Sequence, residues 1–195
     1  MTIQTAVQTH TTSSPRINGF DLAALQQIVE HVGGDPSAAL AGFRVTSRWK
    51  GQARVESSVE GYELGGQNIA RRHVIRSDEP RELFGEDSGP NPQELLFAAL
   101  NACLIFGYAC NAAAMGIAID ELSIETRGTI DLRGPLGLTQ EVPPGCPAIR
   151  YVVRIRAAGA TKAQLEELHA TVMQRSPNHY HLASAIPLVS QLVID

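Results

Sequence analysis

The sequence is short of charge and of most motifs that announce a particular chemistry. Asp, Glu, Lys and Arg make up 18% of its 195 residues and the formal net charge is -4, where an ordinary soluble domain carries about a quarter charged residues. A sparse, nearly balanced charge argues against a nucleic-acid or anionic-membrane partner. It also points to surface covered by a second subunit. No apolar run is read as reaching the ~20 residues of a membrane span, because the most apolar window, Leu95 to Ile119, is interrupted by Asn101 and Asn111 and is rich in alanine. The opening "MTIQTAVQTHTTSSP" has neither the basic start nor the apolar core of a secretory signal and is expected to be disordered. There is no CxxC pair among Cys103, Cys110 and Cys146, which excludes a zinc ribbon or a thioredoxin-type site. An odd cysteine count without a signal peptide indicates a reducing cytoplasm rather than a disulfide framework. GxGxxG, P-loop and GxSxG patterns are absent as well, so nucleotide binding and serine-hydrolase chemistry have no support. No internal repeat is visible.

What is present reads as α+β. Residues 1–42 form a tail followed by a helical extension, and residues 43–195 form one domain. Asp21 to Val32 places Leu22, Leu25, Ile28, Val29 and Val32 on one face of a helix, with Asn18 or Asp21 as its cap and Gly33–Gly34 as its stop. His31 complements the dipole in its last turn. "FRVTSRW", "ARVESSVEGYEL" and "RRHVIRS" alternate with period two, as antiparallel strands with one wet face do. A loop, "DEPRELFGEDSGP", leads into "NPQELLFAALNACLIFGYAC". Asn91, Pro92 and Glu94 make a capping box with proline at the first helical position, and Gly116 closes this long, alanine-rich helix. Residues 122–132 and 149–157 read as strands, and Thr161 with Gln164 caps a further helix that Pro177 ends. "AIPLVSQLVI" reads as a closing strand. Runs of strands and helices in this order favour antiparallel sheets over a parallel one.

Two thiols share the apolar helix. Cys103 and Cys110 are seven residues apart, about 10.5 Å along the axis, beyond the ~7 Å that a disulfide spans. Cys103 lies about 18 Å from the helix start, too deep for the dipole to hold a thiolate. A reactive Cys103 therefore needs a cation from elsewhere. The bland reading is a small core residue.

The stretch "DEPRELFGEDSGPNPQELLFAALNACL" resembles the signature of the OsmC/Ohr family, named for osmotic induction and organic hydroperoxide resistance. Pro92 and Cys103 have the family's spacing of eleven, and "SRWKGQARVES" and "IRYVVRIRA" fit on either side. The resemblance runs from about Phe43 to the end. It implies an OsmC-like α+β fold, with antiparallel sheets around a long central helix, assembled as an intertwined homodimer with two interface sites. It also implies that the Cys103 thiolate attacks the O–O bond of an organic hydroperoxide, that an arginine and a glutamate hold it, and that a second cysteine resolves the sulfenic acid. No cofactor and no metal are implied.

Two positions depart from that scheme. Ser176 stands where the resolving cysteine belongs, and Gln93 stands in place of the glutamate, with Glu94 next to it. Arg48, Arg54, Arg71 and Arg72 are all candidates for the cation, and His179 in "SPNHYH" is another. The cycle implied is then a one-cysteine cycle completed by an external thiol reductant. A swing of Cys146 from its loop "PPGCPAI" is a second route. The alternative is a catalytically silent dimer, or a binder of small apolar ligands in which Cys103 is a buried structural thiol. His179 and His181 would share a face on a strand, but no third ligand is spaced to complete a metal site. Trp49 and Phe84 read as core or interface residues.

Overall fold

A computed structural model describes residues 14–194; the expected disordered tail falls mostly outside them. The chain enters through a two-stranded hairpin, β1 (Arg16–Ile17) and β2 (Phe20–Asp21). Its turn is Asn18-Gly19, with φ of 52° and 83°, the left-handed pair that a tight hairpin requires and that Asn-Gly supplies. Asp21 then caps α1 (Leu22–Gly34), its side chain accepting from Ala24 N. Of the two candidate caps it is Asp21 that acts, and Gly33 and Gly34 lie within the last turn rather than beyond it.

Four strands follow: β3 (Ala41–Phe43), β4 (Thr46–Trp49), β5 (Val55–Leu64) and β6 (Gln67–Ser77). All pairings are antiparallel, with β5 bonded to β3, β4 and β6. The single strand expected from Phe43 to Trp49 is thus two short ones, both paired along β5. β3 begins at Ala41, so the 42/43 boundary cuts through a strand.

The long helix α2 runs Pro92–Ala114 and carries the capping box in full: Asn91 Oδ1 accepts from Glu94 N, and Glu94 Oε2 accepts from Asn91 N. Gly116, at φ 73°, lets the chain turn away after it. By length and composition alone α2 is apolar enough to cross a membrane, which corrects the expectation that no stretch approaches this. Asn101 and Asn111 do not interrupt it because both are satisfied. Asn111 Nδ2 donates to the Gly107 carbonyl (2.7 Å), and Asn101 Nδ2 donates to the Ile124 carbonyl (3.4 Å). Here α2 is a central helix, packed on α3, α4 and β7.

The second sheet is the antiparallel pair β7 (Glu121–Gly128) and β8 (Ile149–Arg156). α3 (Lys162–Arg175) starts at the Thr161/Gln164 capping box. Pro177 does end α3, but it also opens α4 (Pro177–Ala183), with Ser176 as the N-cap. "NHYH" is therefore helical. The closing strand does not form: residues 185–194 have no element, and Leu188 and Val189 are more than 90% exposed. The segment pairs with no strand of either sheet.

The core joins α2 to the C-terminal half through Leu100, Leu104, Tyr108, Ala112, Ile117, Ala157, Leu168 and Val172. The four-stranded sheet takes no substantial part in it, and Phe43, Trp49, Val74 and Ile75 stay exposed.

Candidate active site

Helical geometry alone decides where the thiol points. At 100° per residue, Cys103 lies about 40° from Gly107 on one side and about 60° from Phe106 on the other. Gly107 lies close to Val172 on α3: a Cβ there would stand 3.2 Å from Val172 Cγ1. That close approach delivers the end of α3 and the start of α4 to the thiol. Cys103 Sγ stands 3.4 Å from Ser176 Oγ, across 73 residues of sequence.

Ser176 is buried, and its oxygen already accepts from His179 N (3.3 Å). Its proton is free to point at the sulfur. Asn178 Nδ2 donates to the Ala99 carbonyl at 2.9 Å, which ties α4 to the turn of α2 preceding Cys103. The His179 ring packs edge-on to Tyr151, 6.4 Å between centroids; it is the His179 backbone that meets Ser176. His179 and His181 sit about 200° apart on α4, so the shared-face metal arrangement is lost, and among the described residues no group of three His, Cys, Asp or Glu is placed to hold a metal.

The remaining sequence candidates lie elsewhere in the chain. Glu94 is committed to the cap, and Gln93 is exposed beside it, about 15 Å up the helix from Cys103. Arg54 Nη1 pairs with Glu86 Oε2 at 2.9 Å. Arg48 is exposed on β4 opposite Glu56. Arg71 lies over the Tyr62 ring, 4.9 Å from its centroid, and Arg72 is exposed. Cys146 sits on a different side of α2, close enough to Phe97 and Gly128 that a Cβ on Gly128 would meet its sulfur at 2.7 Å. Cys110 is half-buried, and that burial pushes its thiol pKa up.

The signature loop has its own logic. Asp78 is buried, and its carboxylate accepts from Glu79 N, Glu86 N, Ser88 N and Ser88 Oγ. The Ser88 hydroxyl, ahead of those amides, holds its pKa below the ordinary value. The turn "KGQAR" docks on this loop through the Gln52 amide on the Phe84 carbonyl and the Arg54–Glu86 pair, while Trp49 Nε1 donates to the Gln52 carbonyl within the turn itself. Gln52, Phe84 and Asp87 all have positive φ, and strained non-glycine residues of this kind gather at functional sites. The two halves of the sequence signature are thus one assembled corner, carrying Arg54 at its surface.

With this geometry in place, the family assignment follows from residues 85–190. They match the model of the OsmC-like protein family, more than half of the chain. The chain belongs to the OsmC-like protein family. Its fold is similar to that of an OsmC-like protein from Mycoplasma pneumoniae (18% identity, TM-score 0.57, covering 72% of this chain and 86% of that one). It is also similar to a putative osmotic stress induced and detoxification response protein from Psychrobacter arcticus (14%, 0.53, covering 70% and 85%). A third is an OsmC-like protein of unknown function from Vibrio cholerae (13%, 0.52, covering 73% and 94%). At these identities the likeness speaks for the fold. A comparison with curated proteins found no match. The OsmC-like match begins inside the signature loop and leaves β3–β6 outside it.

Sequence reasoning missed Asn18. Its amide donates to the carbonyls of Ala109 (3.2 Å) and Ile117 (3.0 Å), and its oxygen accepts from Ile119 N (2.9 Å). The signal was legible: Asn-Gly between Ile17 and Phe20 is a hairpin pattern. Also unforeseen is a groove of about 780 Å³ between β8 and α3. Aromatic and aliphatic side chains (Tyr108, Tyr151, Val153, Ile155, Leu165) line it together with His169 and the charged Lys162 and Glu166, and the Tyr108 hydroxyl is bonded to His169 Nδ1.

Proposed function

We propose that this OsmC-like protein is a thiol-dependent reductase of organic hydroperoxides, acting as a homodimer through Cys103 in a one-cysteine cycle. The observation that carries the reading is the Ser176 hydroxyl at 3.4 Å from Cys103 Sγ, with its own oxygen already engaged by His179 N. The thiolate attacks the distal peroxide oxygen, the S–O bond forms as the O–O bond breaks, and the alkoxide leaves and takes a proton to become the alcohol. A small thiol then attacks the sulfenic sulfur, releasing water and leaving a mixed disulfide. A second thiol equivalent frees Cys103 as the reductant disulfide departs. Ser176 holds the ionised sulfur but cannot form the intramolecular disulfide, so the reductant must be external.

The dimer supplies what the single chain lacks. The four-stranded sheet stands off α2 of its own chain, while Leu96, Ile105 and Phe106 of α2 are exposed. Laying the sheet of the second copy over this flank would cover apolar surface on both and bring Arg54 of the partner subunit, still steered by its glutamate, toward the sulfur. The three free thiols suit a reducing cytoplasm.

A second reading rests on the groove between β8 and α3. Its volume and aromatic lining suit a small apolar ligand, and in that reading Cys103 is structural. One assay separates the two: cumene hydroperoxide with dithiothreitol or lipoamide, wild type against Cys103→Ser. Loss of hydroperoxide that depends on Cys103 supports the reductase. Equal rates in both proteins remove it and leave the ligand binder.

A further inference from the structure

The N-terminal hairpin and α1 precede the matched family region, and one side chain ties them to it. Asn18 sits at the left-handed corner of the hairpin, with φ 52°, and Gly19 follows at φ 83°. Asn18 Nδ2 donates to the Ala109 carbonyl of α2 (3.2 Å) and to the Ile117 carbonyl just beyond it (3.0 Å), while Asn18 Oδ1 accepts from Ile119 N (2.9 Å). A neutral primary amide can serve two acceptors and one donor at once; a carboxylate cannot. Because α1 buries none of its residues, the hold of the extension on α2 rests largely on this amide and on the edge-on Phe20–Phe106 pair. Asn18-Gly19 is also the one Asn-Gly step of the sequence: the other asparagines precede Ile69, Pro92, Ala102, Ala112 and His179.

We propose that Asn18 is a deamidation site whose conversion releases the N-terminal extension from the end of α2. The Gly19 backbone nitrogen attacks Asn18 Cγ. A C–N bond forms, the Cγ–Nδ2 bond breaks, and the amide nitrogen leaves as ammonia with the proton that Gly19 N gives up. Water then opens the cyclic imide, at one carbonyl to aspartate and at the other to isoaspartate; it is the only co-reactant. Gly19 has no Cβ to obstruct the attack, whereas the residues after the other asparagines all have one. While the hairpin is docked, the amide is held against α2, so the reaction draws on molecules whose hairpin has opened locally. The product does not close again. Aspartate puts a negative oxygen where Nδ2 stood, 3.2 and 3.0 Å from the Ala109 and Ile117 carbonyl oxygens, near the negative end of the α2 dipole. Isoaspartate adds a carbon to the main chain of a turn that must set Ile17 opposite Phe20. The inference is independent of the chemistry at Cys103.

The test holds the full chain at mildly alkaline pH without denaturant and follows conversion at every asparagine by peptide mass spectrometry. Asn18 is expected to convert at least about tenfold faster than any other asparagine, since it alone is followed by glycine. Conversion at Asn18 no faster than at the others overturns the site. The converted protein is then separated by its added charge and compared with wild type and with N18D by hydrogen exchange. Amides from β1 through α1 are expected to exchange at least about tenfold faster in both, while those of Leu100, Leu104 and Tyr108 keep their wild-type rates. Unchanged exchange from β1 through α1 overturns the release. So does acceleration along the whole converted chain, which marks a lost fold rather than a freed extension. If N18D does not fold, the converted wild-type protein, folded before it reacted, gives the deciding comparison.

Discussion

Ser176→Gly is the sharpest perturbation of the thiol. It removes the hydroxyl 3.4 Å from Cys103 Sγ, yet glycine in place of a serine N-cap costs only a few tenths of a kcal/mol, so α4 should hold. Hydrogen bonds to charged groups contribute about 1.5–3 kcal/mol, and with a bulky sulfur acceptor the lower figure, about 1.5 kcal/mol, is appropriate. That corresponds to about a tenfold change in the rate of a step in which the sulfur carries negative charge. Because only the thiolate is nucleophilic, alkylation of Cys103 by iodoacetamide at neutral pH should slow about tenfold. The assay is peptide-level mass spectrometry over time, with Cys110 and Cys146 as internal references. Ser176→Thr keeps the hydroxyl and should alkylate at nearly the wild-type rate. If Ser176→Gly reacts at Cys103 as fast as wild type, the hydroxyl does not hold the ionised sulfur and the reasoning from this contact fails. Equal slowing at all three cysteines would instead mark a general change in the fold.

Further outcomes are expected. Ser176→Cys should form a disulfide with Cys103 that dithiothreitol reverses, since the two side chains are already in contact; two free thiols after mild oxidation would contradict the packing of α4 on α2. Gly85→Ala should cost about 3 kcal/mol or more in a denaturant titration, because a Cβ there would stand 1.6 Å from the Glu79 carbonyl oxygen; a near-neutral value would mean that the loop is not closed. Burial lifts the Tyr108 hydroxyl from 10.0 to about 12. Its raised value contributes stability that is complete below pH 10 and is lost as pH climbs toward about 12, so Tyr108→Phe should flatten that alkaline limb in thermal melts. Asp78 works at the other end: its carboxyl is held below 3.8, its contribution is present above that value and lost as pH falls further, and Asp78→Asn should remove this acid-side dependence.

What could be read from the residues alone was local. Asn91–Pro92–Glu94 and Thr161–Gln164 state helix starts in four residues, and both helices begin there. Pro177 ends α3 as expected, but the same residue suits the first position of the next helix, and with Ser176 as a good cap before it the following segment is helical. The segment 185–194 has a strand's composition but pairs with no strand of this chain, and a sheet is decided by partners far away in sequence. Asn18 was weighed only as a helix cap, although Asn-Gly named the hairpin. The meeting of Cys103 with Ser176 was legible only through the family resemblance, since no local pattern links residues 73 apart. The resemblance also gathered Gln93, Glu94, Arg48 and Arg54 at the thiol. Within one chain these side chains stay on the cap and on the four-stranded sheet, because that sheet does not close over its own α2.

The central claim, that Cys103 is an oxidisable nucleophile, is tested most directly by a single turnover without reductant. Protein is mixed with one equivalent of cumene hydroperoxide in the presence of dimedone, and the peptides and cumyl alcohol are quantified. The account predicts a dimedone adduct on Cys103 with alcohol released in proportion to it. A Cys103 that stays a free thiol while the hydroperoxide persists would contradict it.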